Sequence, residues 1–289
     1  MISPETIDRD YHVLYGKDKY NPDSHYQAVV AHCHFVGDTT SRISRMVHAA
    51  ADAGVDVLTV TDHDTTRAQD KVRAVVSENG YKIEVFPGIE VTAWTPKKER
   101  RHVLVYGVED APPTGLSPVE VNIWAHKQGS SVLTAAAHPE MLDFSVREAE
   151  LGEIQALNPN ERFDLGEIAN GAIAGIDVWR DKHPLLSRLL KAKMPDPRTN
   201  QRMQDIVFAQ KTMAPIGGSD THEYFGVANV VNLVPEESTL FEAALEGKLI
   251  IIQKRQEVLH PPTLLRIGGG MVRAKILDRN LAQMRDSRT

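Results

Sequence analysis

The chain has 289 residues and a net charge of −6 at pH 7. This length accommodates one large α/β barrel or two smaller domains, and the acidic balance argues against a broad nucleic-acid-binding face. One cysteine excludes internal disulfide bonds, and no stretch is long and apolar enough to span a membrane. The N-terminus lacks the basic-then-apolar order of a signal peptide, so we expect a cytoplasmic protein.

Residues 1–27 are polar, and we interpret them as an extension with a few aromatic anchors rather than as a domain. From residue 28 onwards, short apolar runs that predict strands alternate with segments of helical periodicity. The predicted strands are 28–31, 55–60, 83–86, 102–106, 132–137, 173–179, 214–218, 229–233 and 249–252. The predicted helices are 42–54, 65–79, 117–129, 183–193, 201–211 and 238–246.

This alternation favours parallel βαβ units, and the number of predicted strands favours a barrel or distorted barrel over an open sheet. The predicted barrel spans residues 28–255. Within it, the acidic segment 142–172 interrupts the alternation and is a candidate cap over the barrel mouth. We assign residues 256–289, which are largely basic and polar, to a C-terminal tail.

Histidines and carboxylates follow most of the predicted strands. In chain order, the motifs are His32-Cys33-His34 with Asp38, Thr61-Asp62-His63-Asp64, Gly88-Ile89-Glu90, His102, Ala137-His138-Pro139 and Gly218-Ser219-Asp220-Thr221-His222. The carboxyl ends of strands meet at one face of an α/β barrel, so we expect these side chains to converge there. Histidine and carboxylate together are typical ligands of Zn, Mn and Fe. The sequence therefore predicts a multinuclear metal site and metal-assisted hydrolysis, with phosphate esters as the leading substrates.

Each motif also has an interpretation that needs no metal. His32 and His34 lie two residues apart and therefore share one face of a strand. In the interpretation without a metal, this face is simply exposed to solvent. Asp38 and Asp64 each precede a predicted helix and are candidate helix caps. The basic stretch 97–101 could attract an anion, but we interpret it as the solvated tip of a hairpin, too far from Glu90 to touch phosphate.

Other chemistry has little support in the sequence. Cys33 lies between two candidate ligands, so we expect its side chain on the opposite face, in the core. Ser219 and Thr221 resemble nucleophiles only in residue type, and a metal-activated water would make them unnecessary. The chain contains no glycine-rich phosphate-binding loop and no dinucleotide-binding fingerprint.

The six motifs, taken in order, resemble those of the PHP (polymerase and histidinol phosphatase) superfamily over residues 28–255. The resemblance implies a distorted (β/α)7 TIM-like barrel with two or three divalent metals, Mn, Zn or Fe, at the C-terminal face of its strands. It implies a first metal held by His32, His34, Glu90 and Asp220, a second by Glu90, His102 and His138, and a third by Asp38, His63 and His222. The residues of the motifs are most similar to those of the stand-alone phosphoesterases of the family, which act on nucleotides and related small phosphates.

We therefore expect a metal-dependent phosphoesterase that hydrolyses a small phosphate ester, such as a nucleotide, by attack of a hydroxide bridging two metals. Glu90 would bridge the metals, and Asp62 or Asp64 would orient His63 or help to move a proton. The candidates for binding the substrate phosphate are Arg42, Arg67 and Arg180. The alternatives are a 5'-3' exonuclease on short oligonucleotides, a metal-dependent amidohydrolase and a non-catalytic PHP-like binding module. We expect neither long nucleic acid nor a membrane as a partner.

Overall fold

The computed structural model describes residues 1–35, 40–140, 144–171, 199–222 and 224–255. The helices in these ranges are α1 (Pro4–Asp10), α2 (Thr40–Asp52), α3 (Ala68–Glu78), α4 (Pro118–Gln128), α5 (Glu148–Gln155), α6 (Thr199–Ala209) and α7 (Leu240–Leu245). The strands are β1 (Tyr11–Tyr15), β2 (Tyr26–Val30), β3 (Val57–Val60), β4 (Glu84–Trp94), β5 (Arg100–Tyr106), β6 (Leu133–Ala136), β7 (Leu165–Asn170), β8 (Ala214–Gly218), β9 (Val230–Pro235) and β10 (Ile250–Lys254). Short 3-10 turns occupy Pro159–Glu161 and Tyr224–Gly226.

These strands form one curled sheet, in the order β1-β10-β9-β2-β3-β4-β5-β6-β7-β8. The segments that follow β2 and β8 meet through backbone hydrogen bonds. His34 N donates to Thr221 O over 3.0 Å, and Asp220 N donates to His32 O over 2.9 Å. Strands β2 to β8 therefore enclose a distorted seven-stranded barrel, which confirms the fold expected from the family resemblance.

The sheet is not built from parallel units throughout, and this corrects the sequence-based expectation. Strand β5 runs antiparallel to both β4 and β6, and β9, β10 and β1 also pair antiparallel with their neighbours. Strand β5 runs antiparallel to β4 because only a short basic turn connects Trp94 to Arg100. These two residues face each other across the hairpin. A connection of this length joins only antiparallel strands. His102 consequently lies near the start of its strand, not at its end.

The N-terminal residues belong to the sheet and are not a mere extension. Strand β1 pairs with β10, and Ile2, Ile7 and Tyr11 are buried in the same apolar cluster as α2 and α3. The Tyr11 hydroxyl donates to the Ala228 carbonyl oxygen over 3.1 Å. Single apolar residues separated by charged ones gave no recognisable periodicity in this segment.

Segment 142–172 also contributes to the barrel. Its second half includes β7, which is fully buried and lies between β6 and β8, so this half is barrel wall and not a cap. Two polar residues, Glu167 and Asn170, interrupt the apolar pattern of β7, and for this reason the sequence pattern did not predict the strand. The predicted strand 173–179, the predicted helix 183–193 and the tail 256–289 lie outside the described residues.

The predicted helical periodicities are confirmed where the structure describes them. The buried side of α2, for example, carries Ile43, Met46, Val47 and Ala50, the residues whose spacing predicted the helix. Cys33 is buried in the core, as expected. Among the described helices, none combines the length and the apolar character needed to cross a membrane.

Replacement of Ile7 by Ala tests whether the N-terminal helix is part of the folded unit. Ile7 is 4% exposed, and truncating a buried isoleucine costs about 2–4 kcal/mol of unfolding free energy. Asp8→Ala, at an exposed position of the same helix, is the matched control and should change stability by less than about 0.5 kcal/mol. Chemical denaturation measures both. Equal stability of the two variants would mean that residues 1–16 are a dispensable extension.

Candidate metal centre

Eight of the nine predicted ligands lie in the described part of the chain, and their side chains converge at one edge of the barrel. They are His32 and His34 after β2, His63 after β3, Glu90 in β4, His102 in β5, His138 after β6, and Asp220 and His222 after β8. The ninth, Asp38, lies outside the described residues.

Glu90 is the centre of this cluster and is fully buried. Its Oε1 lies 2.9 Å from His102 Nδ1 and 3.1 Å from His138 Nε2. Its Oε2 lies 3.0 Å from His63 Nδ1 and 3.1 Å from His34 Nε2. Each carboxylate oxygen therefore faces its own pair of imidazoles, which is the arrangement expected of a carboxylate shared by two metals.

The backbone of β4 explains how Glu90 reaches this position. The strand pairs with β3 as far as Pro87 and with β5 from Gly88 onwards, so Glu90 lies just beyond the change of partner. A Cβ atom on Gly88 would lie 3.1 Å from the side chains of Thr59 and Thr61. Glycine at this position therefore allows the close packing of β3 and β4 that brings Glu90 to the histidines.

A second group of contacts surrounds His34. The Nε2 atoms of His32 and His34 lie 3.0 Å apart, and Asp220 Oδ1 lies 3.3 Å from the second and 3.7 Å from the first. The His222 ring stacks on the His34 ring, with centroids 4.4 Å apart, and His63 stacks on His34 at the same distance. The eight predicted ligands that the structure describes thus lie in one continuous cluster.

Two of the candidate ligands occupy the left-handed backbone region that favours glycine. His138 has φ 30° and Asp220 has φ 44°, conformations that cost about 1–3 kcal/mol each for ordinary residues. Hydrogen bonds hold both: His138 N donates to Glu167 Oε2 over 2.7 Å, and Asp220 N donates to His32 O over 2.9 Å. Such strain is typical of positions where the fold must aim a functional side chain.

The donor set and its spacing fit divalent metals. Three triads of ligand atoms each lie within 4.8 Å of one another: His32, His34 and Glu90; His63, Glu90 and His102; and His34, His63 and His222. Metal–ligand bonds of about 2.0–2.2 Å separate neighbouring ligand atoms by roughly 3–3.6 Å, close to the N–O distances seen around Glu90. Imidazole with carboxylate suits Zn, Mn or Fe.

Two curated relatives match part of the chain. Over 69 residues the chain is 33% identical to the 5'-3' exoribonuclease Rnm of Salmonella typhimurium, and over 50 residues it is 40% identical to Rnm of Escherichia coli. These matches cover 24% and 17% of this chain and only 23% and 17% of the two relatives. No protein-family model matches the chain.

The fold is similar to that of PsfC from Pseudomonas syringae PB-5123, with a TM-score of 0.50 and 14% identity over 87% of this chain and 99% of that one. The shared fold, the local match to Rnm and the clustered ligands are consistent with the resemblance of the six motifs to the PHP superfamily. The histidine and carboxylate cluster is consistent with a multinuclear metal site.

The electrostatics of this site come from carboxylates and imidazoles buried together. Burial raises the pKa of Glu90, but His102, His63 and His32 outweigh burial and hold that pKa well below its usual range. Burial lowers the pKa of His63, but Glu90 and Asp220 outweigh it and raise the pKa to about 9. Burial and the neighbouring His34 lower the pKa of His222 to about 3. The site thus keeps Glu90 anionic and holds a proton on His63, which a metal would displace.

The two predicted proton-handling carboxylates have different surroundings. Asp62 is buried, and its Oδ1 accepts a hydrogen bond from Phe35 N over 2.5 Å, which holds the backbone of the residue that follows His34. Asp64 is exposed and has φ 54°, and its Oδ1 accepts from Thr92 N over 2.7 Å. Both therefore stabilise the backbone around the ligands, and their role in moving protons stays a prediction.

The structure describes two of the three arginines predicted to bind phosphate, and they lie in different surroundings. Arg42 Nη2 donates to the backbone oxygen of His222, so its guanidinium lies beside a ligand motif. Arg67 is exposed, at the start of α3. Arg180 lies outside the described residues.

The basic stretch 97–101 lies closer to the site than we expected. Arg101 is buried between Glu99 and Glu150, at 2.8 and 2.6 Å. The Arg100 guanidinium lies 4.4 Å from the centre of the Phe144 ring, and this ring stacks on the His102 ring at 5.3 Å. The end of the stretch therefore supports the wall of the metal centre.

Two buried polar residues of the site, Glu167 and Asn170, lie on β7 and are not among the residues predicted from the sequence. Glu167 Oε1 lies 3.0 Å from His32 Nδ1, and Asn170 Nδ2 donates to Asp220 Oδ2 over 2.9 Å. The clue in the sequence was a pair of polar residues in an otherwise apolar run. Without the adjacent strands this pattern resembles a loop.

Metal binding should be coupled to proton release. At pH 7 we expect the metal-free protein to bind two or more equivalents of Mn²⁺ and to release protons, because His63, with a pKa of about 9, must be neutral to bind metal. The apparent affinity should therefore rise from pH 7 to pH 9, by up to about tenfold per pH unit for each displaced proton.

Calorimetry in buffers of different ionisation enthalpy counts these protons, and elemental analysis counts the metal. His63→Ala should reduce the number of protons released. His25→Ala, at an exposed position outside the cluster, should leave it unchanged. Binding of a single equivalent, or an affinity independent of pH between 7 and 9, would contradict this prediction.

Proposed function

We propose that the protein hydrolyses a small phosphate ester, such as a nucleotide or a related phosphomonoester, in a metal-dependent reaction. The observation that carries this proposal is the position of Glu90, which is fully buried with two imidazoles at each carboxylate oxygen. A carboxylate in this position is suited to join two metals, and paired metals are typical of enzymes that transfer phosphoryl groups to water.

When bound, divalent metals would lower the pKa of a coordinated water and neutralise the oxygens of the phosphate. The chain itself holds the ligands and leaves one side open. His32 and His34 are fully buried, whereas the His63 side chain is 35% exposed and His222 is half-buried. The substrate therefore approaches from the side of His63 and His222.

Charged residues on this open side suggest how a phosphate ester would be bound and protonated. Arg42 contacts the backbone of His222, and this position favours it over the exposed Arg67 as the phosphate-binding residue. Asp64 is exposed and adjacent to His63, and this favours it over the buried Asp62 as the group that moves a proton to the leaving oxygen.

A second candidate function is 5'-3' exonuclease activity on short oligonucleotides. The local match to the two Rnm exoribonucleases favours it, although the match spans less than a quarter of either relative. An exonuclease that holds only one end of a strand would need no extended basic surface. The net charge of −6 favours the small substrate, since long polyanions gain affinity from many lysines and arginines.

Replacement of Glu90 by Gln tests the central assignment. An amide is a poor bridge between metals, so we expect turnover to fall at least about a hundredfold, or about 2.7 kcal/mol of transition-state stabilisation. Glu84→Gln is the matched control, because Glu84 is an exposed carboxylate at the start of the same strand. Phosphate release measures both variants. A Glu90→Gln rate above about a tenth of the parent rate would exclude the bridge.

Substrate length separates the two candidate functions. We expect kcat/KM for a mononucleotide to equal or exceed that for a 20-mer, because the acidic chain offers few grouped cations for counterion release. The measurement compares a mononucleotide, a dinucleotide and a 20-mer over a salt series. A preference for the 20-mer of about tenfold or more, which falls steeply with salt, would identify a nuclease instead.

A further inference from the structure

Glu167 is a fully buried carboxyl group that contacts several parts of the metal centre but is not among the predicted ligands. Its Oε1 lies 3.0 Å from His32 Nδ1. Its Oε2 accepts hydrogen bonds from His138 N over 2.7 Å and from Asn170 Nδ2 over 3.3 Å. The same amide nitrogen donates to Asp220 Oδ2 over 2.9 Å. Glu167 and Asn170 therefore connect β7 to three separate ligand motifs.

The contact with His32 determines which ring nitrogen of this histidine is free. Because Nδ1 faces the Glu167 carboxylate, the ring proton belongs on Nδ1, where it is donated to Oε1. The opposite atom, Nε2, lies 3.5 Å from Glu90 Oε2 and 3.7 Å from Asp220 Oδ1, and its lone pair points into the ligand cluster. A carboxylate on the far nitrogen also makes a metal-binding imidazole more basic.

The contact with His138 supports a strained backbone. His138 has φ 30°, and its amide proton is held by Glu167 Oε2. Because Oε1 faces His32 while Oε2 accepts from His138 and Asn170, both oxygens of Glu167 are already engaged. This leaves the residue to orient ligands and not to be one.

The barrel provides the space that Glu167 requires. A Cβ atom on Gly218 would lie 1.7 Å from Glu167 Oε1 and 2.7 Å from the His32 Cβ, so no side chain fits at that position. The glycine before the Ser219-Asp220 motif is therefore explained by the carboxyl group on the neighbouring strand.

We propose that Glu167, together with Asn170, is the positioning group of the metal centre: it sets the tautomer of His32 and holds His138 and Asp220 in place for metal binding. This inference rests on the proposed metal-dependent function. Its test measures metal binding directly, so its outcome does not depend on which phosphate ester, if any, the protein hydrolyses.

The decisive variant is Glu167→Gln. The amide keeps the size of the side chain but replaces one acceptor oxygen with an NH₂ group, which would face the N–H of either His32 or His138. We expect the weakest-bound Mn²⁺ equivalent to lose roughly 10- to 100-fold in affinity, the effect typical of losing a group that orients metal ligands.

Asp164→Asn is the matched control. Asp164 lies just before β7, and its Oδ2 also contacts a backbone N–H and an imidazole, Thr134 N at 2.8 Å and His126 Nε2 at 2.9 Å. None of these groups belongs to the metal centre. This variant should lower the melting temperature but keep Mn²⁺ affinity within about twofold of the parent protein.

A second measurement reports the tautomer itself. In ¹⁵N NMR spectra of the Zn²⁺-loaded parent protein, His32 should carry its proton on Nδ1, and Glu167→Gln should produce a mixture of protonation states at His32.

If Glu167→Gln does not fold, the Asn170→Ser variant replaces it in the test. We expect this variant to lose about tenfold in Mn²⁺ affinity. Unchanged affinity in the folded variant, or equal losses in Glu167→Gln and Asp164→Asn, would overturn the proposal. Absence of phosphatase activity in the parent protein would overturn the proposed function alone.

Discussion

The architecture of the site depends on burying Glu90, Glu167 and Asp220 together at one edge of the barrel. Moving a charged carboxylate out of water costs several kcal/mol, which only well-placed partners offset. Imidazoles are the partners here: four surround Glu90 within 3.1 Å, and their charge lowers the pKa of its carboxyl group. Removing one imidazole without replacing its charge would leave a buried carboxylate without a compensating charge. The burial of the carboxylates therefore depends on the histidines around them.

The topology of the sheet places these partners side by side. Candidate ligands lie just after the carboxyl ends of strands β2, β3, β6 and β8. Strand β5 runs in the opposite direction, and its ligand His102 lies near its start. Closure between the segments after β2 and β8 uses the backbone of His32 and Asp220 themselves. The bonds that close the barrel therefore also set the separation of two candidate ligands, which couples the stability of the fold to the geometry of the site.

The difference in exposure among the ligands gives the site a direction. The His32 and Glu90 side chains are fully buried, whereas those of His63 and His222 are partly exposed. Around the buried Glu90 carboxylate, electrostatic interactions are strong because the local dielectric constant is low. In the proposed function, an anion would bind and a leaving group would be protonated on the partly exposed side, which carries Arg42 and Asp64. This asymmetry is what a hydrolase of small phosphate esters requires, and it equally suits an enzyme that takes only the end of a strand.

Much of the site follows from the sequence by itself, because its ligands occur in short motifs next to apolar runs. The residue types of His32, His34, Glu90 and Asp220 predicted a metal site, and local periodicity located the helices and most strands. Only the tertiary structure decided the direction of β5, the place of the N-terminal strand in the sheet and the role of β7. These features depend on pairing between segments distant in the chain, and local periodicity carries no information on such pairing. The roles of Glu167 and Asn170 could not be predicted for the same reason. A polar residue in a buried strand is explained only by its partners on neighbouring strands.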